Sequence, residues 1–464
     1  MTSREWAPAL LILFQFGATI IAGEEDSFSS DPVVSADAIT LSTSDGADAH
    51  ADNVEAQRWN WHVQNTVIVQ GDPPFSAKYS GPNSLNNSGE VRETVTLDLF
   101  VGVRLWRGTE AHVDGLSWQG FGLSDTVGVD GFPNGDGSRL GTKIPNANFA
   151  RVFLRQTIGF GGEQETVEDN QLQLGGKQDV SRLTLTLGRM SAKDIFDNNS
   201  YANDPRTQFM NWALMANEAW DVPADGLGYT TGFTAELNQP QWTARYGVFQ
   251  EPRVSNGTAI DQHLLKAWGM VTEFERRYKI NDRPGVIRFL GYLNRAHMGS
   301  YQEAVESPIR PADIAATRAY RYKYGFGFNV EQEIVSNIGI FSRLGWSDGR
   351  NEAWSFSDVD RTATLGFSVK GQWWHRPNDT FGVAGVINAI SHVHQEFFEA
   401  GGTGILAGDG NLSYGLEKIL ETYYDFQIWQ KLHGAIDYQF VADPAFNRAR
   451  GPVNVFGARF HFQL

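Results

Sequence analysis

Residues 320–331 read YRYKYGFGFNVE. Taken in steps of two, Tyr320, Tyr322, Tyr324, Phe326 and Phe328 fall on one side, and Arg321, Lys323, Gly325, Gly327, Asn329 and Glu331 on the other. A period of two belongs to a β-strand, whose successive side chains point to opposite faces. This strand has an oily face and a charged face. A soluble sheet would bury the aromatic side in a core, but such segments recur along most of the chain, more of them than one sandwich could pair face to face. The pattern predicts an all-β fold: a transmembrane antiparallel β-barrel with lipid outside and water inside.

Working outward, Trp59 to Gln70 sets Trp59, Trp61, Val63, Val67 and Val69 against Asn60, His62, Gln64, Thr66 and Gln70. Val91 to Trp106 sets Val95, Leu97, Leu99, Val101, Val103 and Leu105 against Arg92, Thr94, Thr96, Asp98 and Arg104. Further strands are expected to start near Thr109, Asn148, Val180, Gly228, Gln241, Leu264, Gly285, Arg318, Ile334, Thr362, Thr380, Gly415, Lys431 and Pro452. That makes about sixteen, an even number as in bacterial barrels. Roughly ten residues at about 3.3 Å, tilted about 45°, span roughly 24 Å, the height of the outer-membrane apolar band. Long connections alternate with tight ones such as Arg107 to Gly108, Asn238 to Pro240 and Tyr278 to Pro284. The exception is Gly159 to Asp179, long where a turn should be short, and it reads as a periplasmic insertion.

Composition agrees. The chain has 464 residues, yet no linker divides it after residue 58. A hydrophobic fraction of 41% and a mean hydropathy of −0.34 conceal a barrel well, because half of each strand faces water. The absence of cysteine excludes thiol chemistry and a disulfide framework, and the net charge of −16 argues against nucleic acid as a partner. At the N-terminus, Arg4, the apolar stretch Ala7 to Ile21 and small residues at Ala18, Ala22 and Gly23 predict a signal peptide over residues 1–22. Residues 23–58, acidic and rich in Ser, Asp, Ala and Thr, are expected to form a disordered leader, and residues 59–464 the barrel.

Arginines decide which face is wet, since one on the lipid side at mid-membrane costs about 2–4 kcal/mol. Arg92, Arg104, Arg151, Arg155, Arg182, Arg245, Arg288, Arg321, Arg343 and Arg459 are therefore assigned inward, together with Asp98, Glu236, Glu331, Glu421, Asp425 and Asp437. An interior of mixed sign suits neutral polyols better than anions, which would call for an excess of Lys and Arg. The alternative is that these charges brace the wall through cross-strand pairs.

The segments WNWHVQ (59–64), KYSGPNSL (78–85), DTVGVDGFPNGDG (125–137), FARVFLRQTIGFGGE (149–163), LGRMSAKDIFDNNSYANDPRTQFMNWALMANEAWD (187–221), GIFSRLGWSDGR (339–350), GDGNLSYGLEKILETYY (408–424) and DYQFVADPAFNRARGPVNVFGARFHF (437–462) resemble the carbohydrate-selective porin family, the OprB-type outer-membrane porins. The chain departs from the family pattern in ending on Leu464 rather than an aromatic residue and in carrying the acidic leader. The resemblance implies a sixteen-stranded barrel in the bacterial outer membrane that conducts mono- and oligosaccharides by facilitated diffusion, with no cofactor and no energy coupling. It also implies that the loop from Ser191 to Leu227 folds inward as a constriction, with Asp194, Asp197, Asn198, Asn199, Asp204, Arg206, Gln208 and Asn211 lining or bracing an eyelet.

Within that loop, Asp204 and Pro205 look like a helix N-cap and first turn, and Phe209, Trp212, Ala213, Ala216 and Trp220 recur at helical spacing, which predicts a short amphipathic helix. The expected pore-lining set adds Trp212 and, from the wall, Asp98, Arg151, Arg155, Arg182, Glu236, Arg245, Arg288 and Arg343. His392, His394 and Glu396 have metal-type spacing, but at the mouth of a loop they read as solvated polar residues. No nucleophile elbow, P-loop or HExxH motif occurs, so the chain is not expected to be an enzyme. Expected partners are carbohydrate solutes, outer-membrane lipid and lipopolysaccharide, the barrel-assembly machinery during biogenesis, and other copies of the chain, with monomer and trimer both open. The alternatives are a general or other-solute porin and, from other classes, a soluble glycan-binding β-protein or an outer-membrane hydrolase.

Overall fold

The alternation at residues 320–331 lies within one long strand, Ala319–Val335, in a computed structural model that describes residues 56–137 and 141–464. Tyr322, Tyr324, Phe326 and Phe328 are 38–50% exposed while Lys323 between them is 2% exposed, which settles the sidedness. The predicted signal peptide and nearly all of the acidic leader lie outside the described residues.

Among the described residues, sixteen strands close into one antiparallel barrel. In chain order they are β1 (Trp59–Asp72), β2 (Glu90–Trp106), β3 (Thr109–Gly120), β4 (Thr142–Gly159), then, after a separate hairpin, β7 (Arg182–Met190), β8 (Thr230–Gln239), β9 (Trp242–Phe249) and β10 (Trp268–Ile280). The circuit continues with β11 (Arg283–Met298), β12 (Ala319–Val335), β13 (Ile338–Ser347), β14 (Arg361–Lys370), β15 (Thr380–Ala389), β16 (Glu417–Trp429), β17 (Leu432–Ala442) and β18 (Val453–Gln463). Each strand pairs with its sequence neighbour, and β1 closes the ring on β18 from Gln64↔Gln463 to Gly71↔Phe456. Closure leaves no strand edge to be satisfied by lipid. One end has tight turns: Asn281 and Asp282, both at positive φ, join Ile280 to Arg283, and Arg107 and Gly108 join β2 to β3.

Two expectations need correction. The strand expected near Ile334 begins at Ile338, because Ile334 still belongs to β12. The helix expected from Asp204 spans only Trp212–Met215, capped by the Asn211 side chain, which accepts from the amide of Ala213. All four of its residues are buried, so it has no wet face. The Gly159–Asp179 connection, whose length alone marked it as an insertion, forms a hairpin of β5 (Gln164–Val167) and β6 (Gly176–Asp179).

The apolar core lies inside the barrel rather than between sheets. Phe341, Ala384, Val386, Ile419, Tyr423, Val441, Val453 and Val455 of β13–β18 pack inward against Leu85, Leu123, Val129, Phe209, Ala213 and Leu214 of the loops. That half of the wall is apolar inside because it meets folded loop instead of water.

Candidate functional site

The loop between β7 and β8 follows the inner wall. It starts at Asp194, whose two oxygens accept from Nε and Nη2 of Arg151 on β4 at 2.8 and 2.7 Å. It then continues along the wall, where the Asp197 amide donates to Glu273 of β10 (2.7 Å) and the Ser200 amide to Glu331 of β12 (2.6 Å). Next, the amides of Met210 and Asn211 donate to the two oxygens of Glu421 on β16 at 2.6 and 3.0 Å. Arg459 of β18 donates to the carbonyls of Pro205 and Gln208, both at 2.7 Å, and Arg206 donates to Asp98 of β2 at 2.7 Å. The loop is thus a collar tied to strands around most of the barrel. Its peptide groups are satisfied by charged wall side chains, the stronger kind of hydrogen bond.

Two kinds of charged residue result. Arg343 is fully buried and donates to Asp197 Oδ1 (3.1 Å) and to the carbonyls of Leu214, Asp197 and Ala202. Asp197 also accepts from the Lys193 ammonium (3.2 Å), the Asn329 amide (2.8 Å) and the backbone of Asn217 (2.8 Å). Burial alone would raise the pKa of Asp197, but Arg343 and then Lys193 outweigh it and hold the carboxyl at about 2. Burial pushes the Lys193 ammonium down to about 8, against the pull of Asp197.

The second kind keeps an accessible edge. Arg151 joins Asp194 to Asp114 (2.6 Å), and Arg206 joins Asp98 to Asp136 (2.6 Å), each arginine side chain retaining 14% of its surface. Tyr229 lies under the Arg151 guanidinium, 5.1 Å from it. Three strands along the wall from β4, Arg245 of β9 binds Glu236, Glu273 and Glu275 at 3.1, 2.8 and 3.0 Å, and Arg288 binds Glu275 at 3.0 Å. Half-buried Asn198, Asp204 and Gln208 complete the loop's polar edge.

The sequence-predicted set therefore divides. Arg151, Asp194, Asn198, Asp204, Arg206, Gln208, Glu236 and Arg245 are partly accessible at or facing the loop, and Arg288 lies just beneath. Asp98, Asp197, Asn199, Asn211 and Arg343 are at most 4% accessible; they hold the loop instead of lining open space, because their hydrogen bonds are spent between the loop and the wall. Trp212 is likewise buried, stacked 5.4 Å from Phe132 at 10°. Arg155 and Arg182 are elsewhere, bonded to the hairpin insertion at Leu172 and Glu165. Asp114, Asp136 and Lys193 belong to the network but were absent from the predicted set. Asp114 could have been found, since it shares the inward parity of β3 with His112, whereas nothing local announces that Asp136 meets Arg206 70 residues away. His392 and His394 do not converge: His394 is buried against Asp360 (3.1 Å) while His392 is exposed, and no metal-type cluster occurs among the described residues.

A family description, carbohydrate-selective porin, OprB family, matches residues 82–464. The chain belongs to the OprB family. Among solved structures, this OprB-family barrel is similar to the high-pH structure of Pseudomonas putida OprB, at 16% identity and a TM-score of 0.67, covering 88% of this chain and 94% of that one. The low-pH structure of the same protein follows at 13% identity and 0.48, covering 88% and 93%. Pseudomonas aeruginosa OccK2 (OpdF) gives 9% and 0.44, covering 88% and 97%. At such identities the first likeness speaks for the fold, and the family match carries the function. Curated proteins show no match to the chain. The OprB-family chain is a carbohydrate-selective porin of the outer membrane, a channel and not a member of an enzyme family.

Proposed function

We propose that neutral mono- and oligosaccharides, glucose among them, pass by diffusion through the opening inside the collar. Arg151, Arg206 and Arg245 offer guanidinium edges to their hydroxyls. The observation that carries this reading is the pairing of each of these arginines with two or more carboxylates while an edge stays accessible. A paired arginine is a weak electrostatic trap for anions yet still donates hydrogen bonds in a fixed plane. Asp194, Asn198, Asp204 and Gln208 add acceptors and amides along the loop edge. Binding stays weak, because conduction needs release as much as entry.

In the same reading, residues 1–22 export the chain, residues 23–58 form a solvated acidic linker, and the barrel-assembly machinery inserts the barrel. The exposed outward aromatics face lipid and lipopolysaccharide, and copies of the barrel associate through that face or not at all.

The test is liposome swelling with glucose and with an amino acid of equal size. Glucose should enter several-fold faster through the wild-type channel, and an Arg151→Ala, Arg206→Ala double variant should lose most of that preference while keeping ion conductance. Equal rates for both solutes in the wild type would reduce the protein to a general pore.

A further inference from the structure

The hairpin insertion after β4 does not simply hang from the rim. It leaves the wall through Gly161 and Gly162, both in the left-handed region at φ 81° and 94°, and its connecting residues 168–175 turn back onto the inner face of the barrel. Asn60 of β1 reaches Asp169 Oδ1 (2.6 Å) and the carbonyls of Asn170 (2.9 Å) and Gln173 (3.1 Å). His62 Nε2 lies 3.1 Å from the same Asp169 oxygen, and Gln57 donates to the other at 3.1 Å. Arg104 of β2 donates to the Gly175 carbonyl (3.4 Å), and Arg155 of β4 to that of Leu172 (2.7 Å). Leu174 is 2% exposed. The donors all lie on the inward parity of their strands: Asn60 sits between exposed Trp59 and Trp61, Arg104 between Val103 and Leu105, and Arg155 beside Leu154.

The segment therefore covers the lumenal surface from β1 to β4, a quarter of the sixteen-strand circumference, at the end where β2 turns into β3. Along β2, Arg104 under this strap and Asp98 under the collar are six residues apart, roughly 20 Å at the strand rise. Two loops thus narrow the same bore at different depths. The collar pairs its arginines with carboxylates. The insertion from Gly159 to Asp179 carries five carboxylates and one lysine. Glu165 is paired with Arg182 and Asp169 is held by Asn60, Gln57 and His62, while Glu163 and Glu168 stand exposed. Arg104 beneath the strap is itself paired with Glu110 (3.1 Å).

We infer that the 168–175 strap is a second filter, which narrows the short-turn mouth of the channel and disfavours anionic solutes there, while the collar discriminates among sugars. A solute that has passed the collar then meets a field set by the carboxylates of the insertion before release. Focusing of like charge at a narrow, low-dielectric mouth lowers the local concentration of anions.

The test replaces Phe160–Ser181 by a two-residue Asn-Gly turn, which the direct pairing of Gly159 with Arg182 permits. Single-channel conductance in potassium chloride should rise by about 1.5-fold or more, as expected when one of two series constrictions is removed. Reversal potentials should show a reduced cation preference, oligosaccharides too large for the wild type should pass, and the preference for glucose over an amino acid should remain. Loss of that last preference would overturn the division of roles between strap and collar. A shortened barrel that migrates heat-modifiably yet keeps wild-type conductance, cation preference and size limit overturns the inference. Should the shortened chain fail to fold, Glu168→Cys serves in its place: Glu168 is exposed, and the chain has no other cysteine. Complete modification with a bulky thiol reagent should reduce conductance, and no change would overturn the inference equally.

Discussion

Arg343, on the inward face of β13, and Arg206, on the collar, serve the same channel and do opposite things. Arg343 has no accessible surface and meets Asp197 and three carbonyls, so removing it strands a buried carboxylate and several acceptors. Breaking a buried pair in this way costs about 3–5 kcal/mol. Arg343→Met should therefore lower the temperature at which heat-modifiable migration is lost and raise open-channel noise in planar bilayers; a wild-type trace would show that the contact does not hold the loop. Lys193 provides a pH signature. An exposed lysine keeps its proton to about 10.5, but burial brings this one to about 8. Between those values the unfolded chain binds a proton that the docked loop does not, so docking is favoured as pH rises through that window. As pH rises through about 8, the constriction loses this positive charge. Cation preference, read as reversal potential at about pH 6.5 and about pH 9.5, should increase, and Lys193→Met should abolish the step. The sequence made the inward direction of these side chains legible, because parity and the cost of arginine in lipid are local properties. It could not distinguish an edge from a brace, since that depends on which wall residue a loop meets more than 100 positions away, as for Asp197 and Arg343.

At the scale of elements, the collar owes its shape to the wall. Apolar spacing from Phe209 to Trp220 suggested a helix whose amides would be satisfied internally, yet Glu273, Glu331 and Glu421 take the amides of Asp197, Ser200, Met210 and Asn211. Only Trp212–Met215 remains helical, and the apolar residues read as one face are buried on all sides between wall and outer loops. Glu421→Ala would leave two buried amides without an acceptor, at about 1–3 kcal/mol each. Limited proteolysis should then cut within residues 191–227 under conditions where the wild type resists, and mean conductance should rise. Protection equal to wild type would mean that the remaining anchors suffice.

At the scale of the whole molecule, all sixteen wall strands were visible as alternation, and most begin within about four residues of their expected starts, the usual uncertainty of element boundaries. The Ile334 boundary was misplaced because β12 runs to Val335 and only Ser336 and Asn337 separate it from β13. Inward apolar residues on β13–β18 also blur the alternation there, since they face folded protein. The insertion was recognised by its length alone, because its partners Asn60, Arg104 and Arg155 lie on strands whose adjacency follows only from closure.

The collar grips Asp98 on β2 and Arg459 on β18, the two strands that flank β1. Its anchors therefore straddle the seam where the first and last strands meet. Until that seam zips, half of these moorings have no fixed position, so the selective aperture is finished only as the cylinder itself is completed. A nascent chain lacking its final strand would insert, if it inserts at all, without a finished sieve.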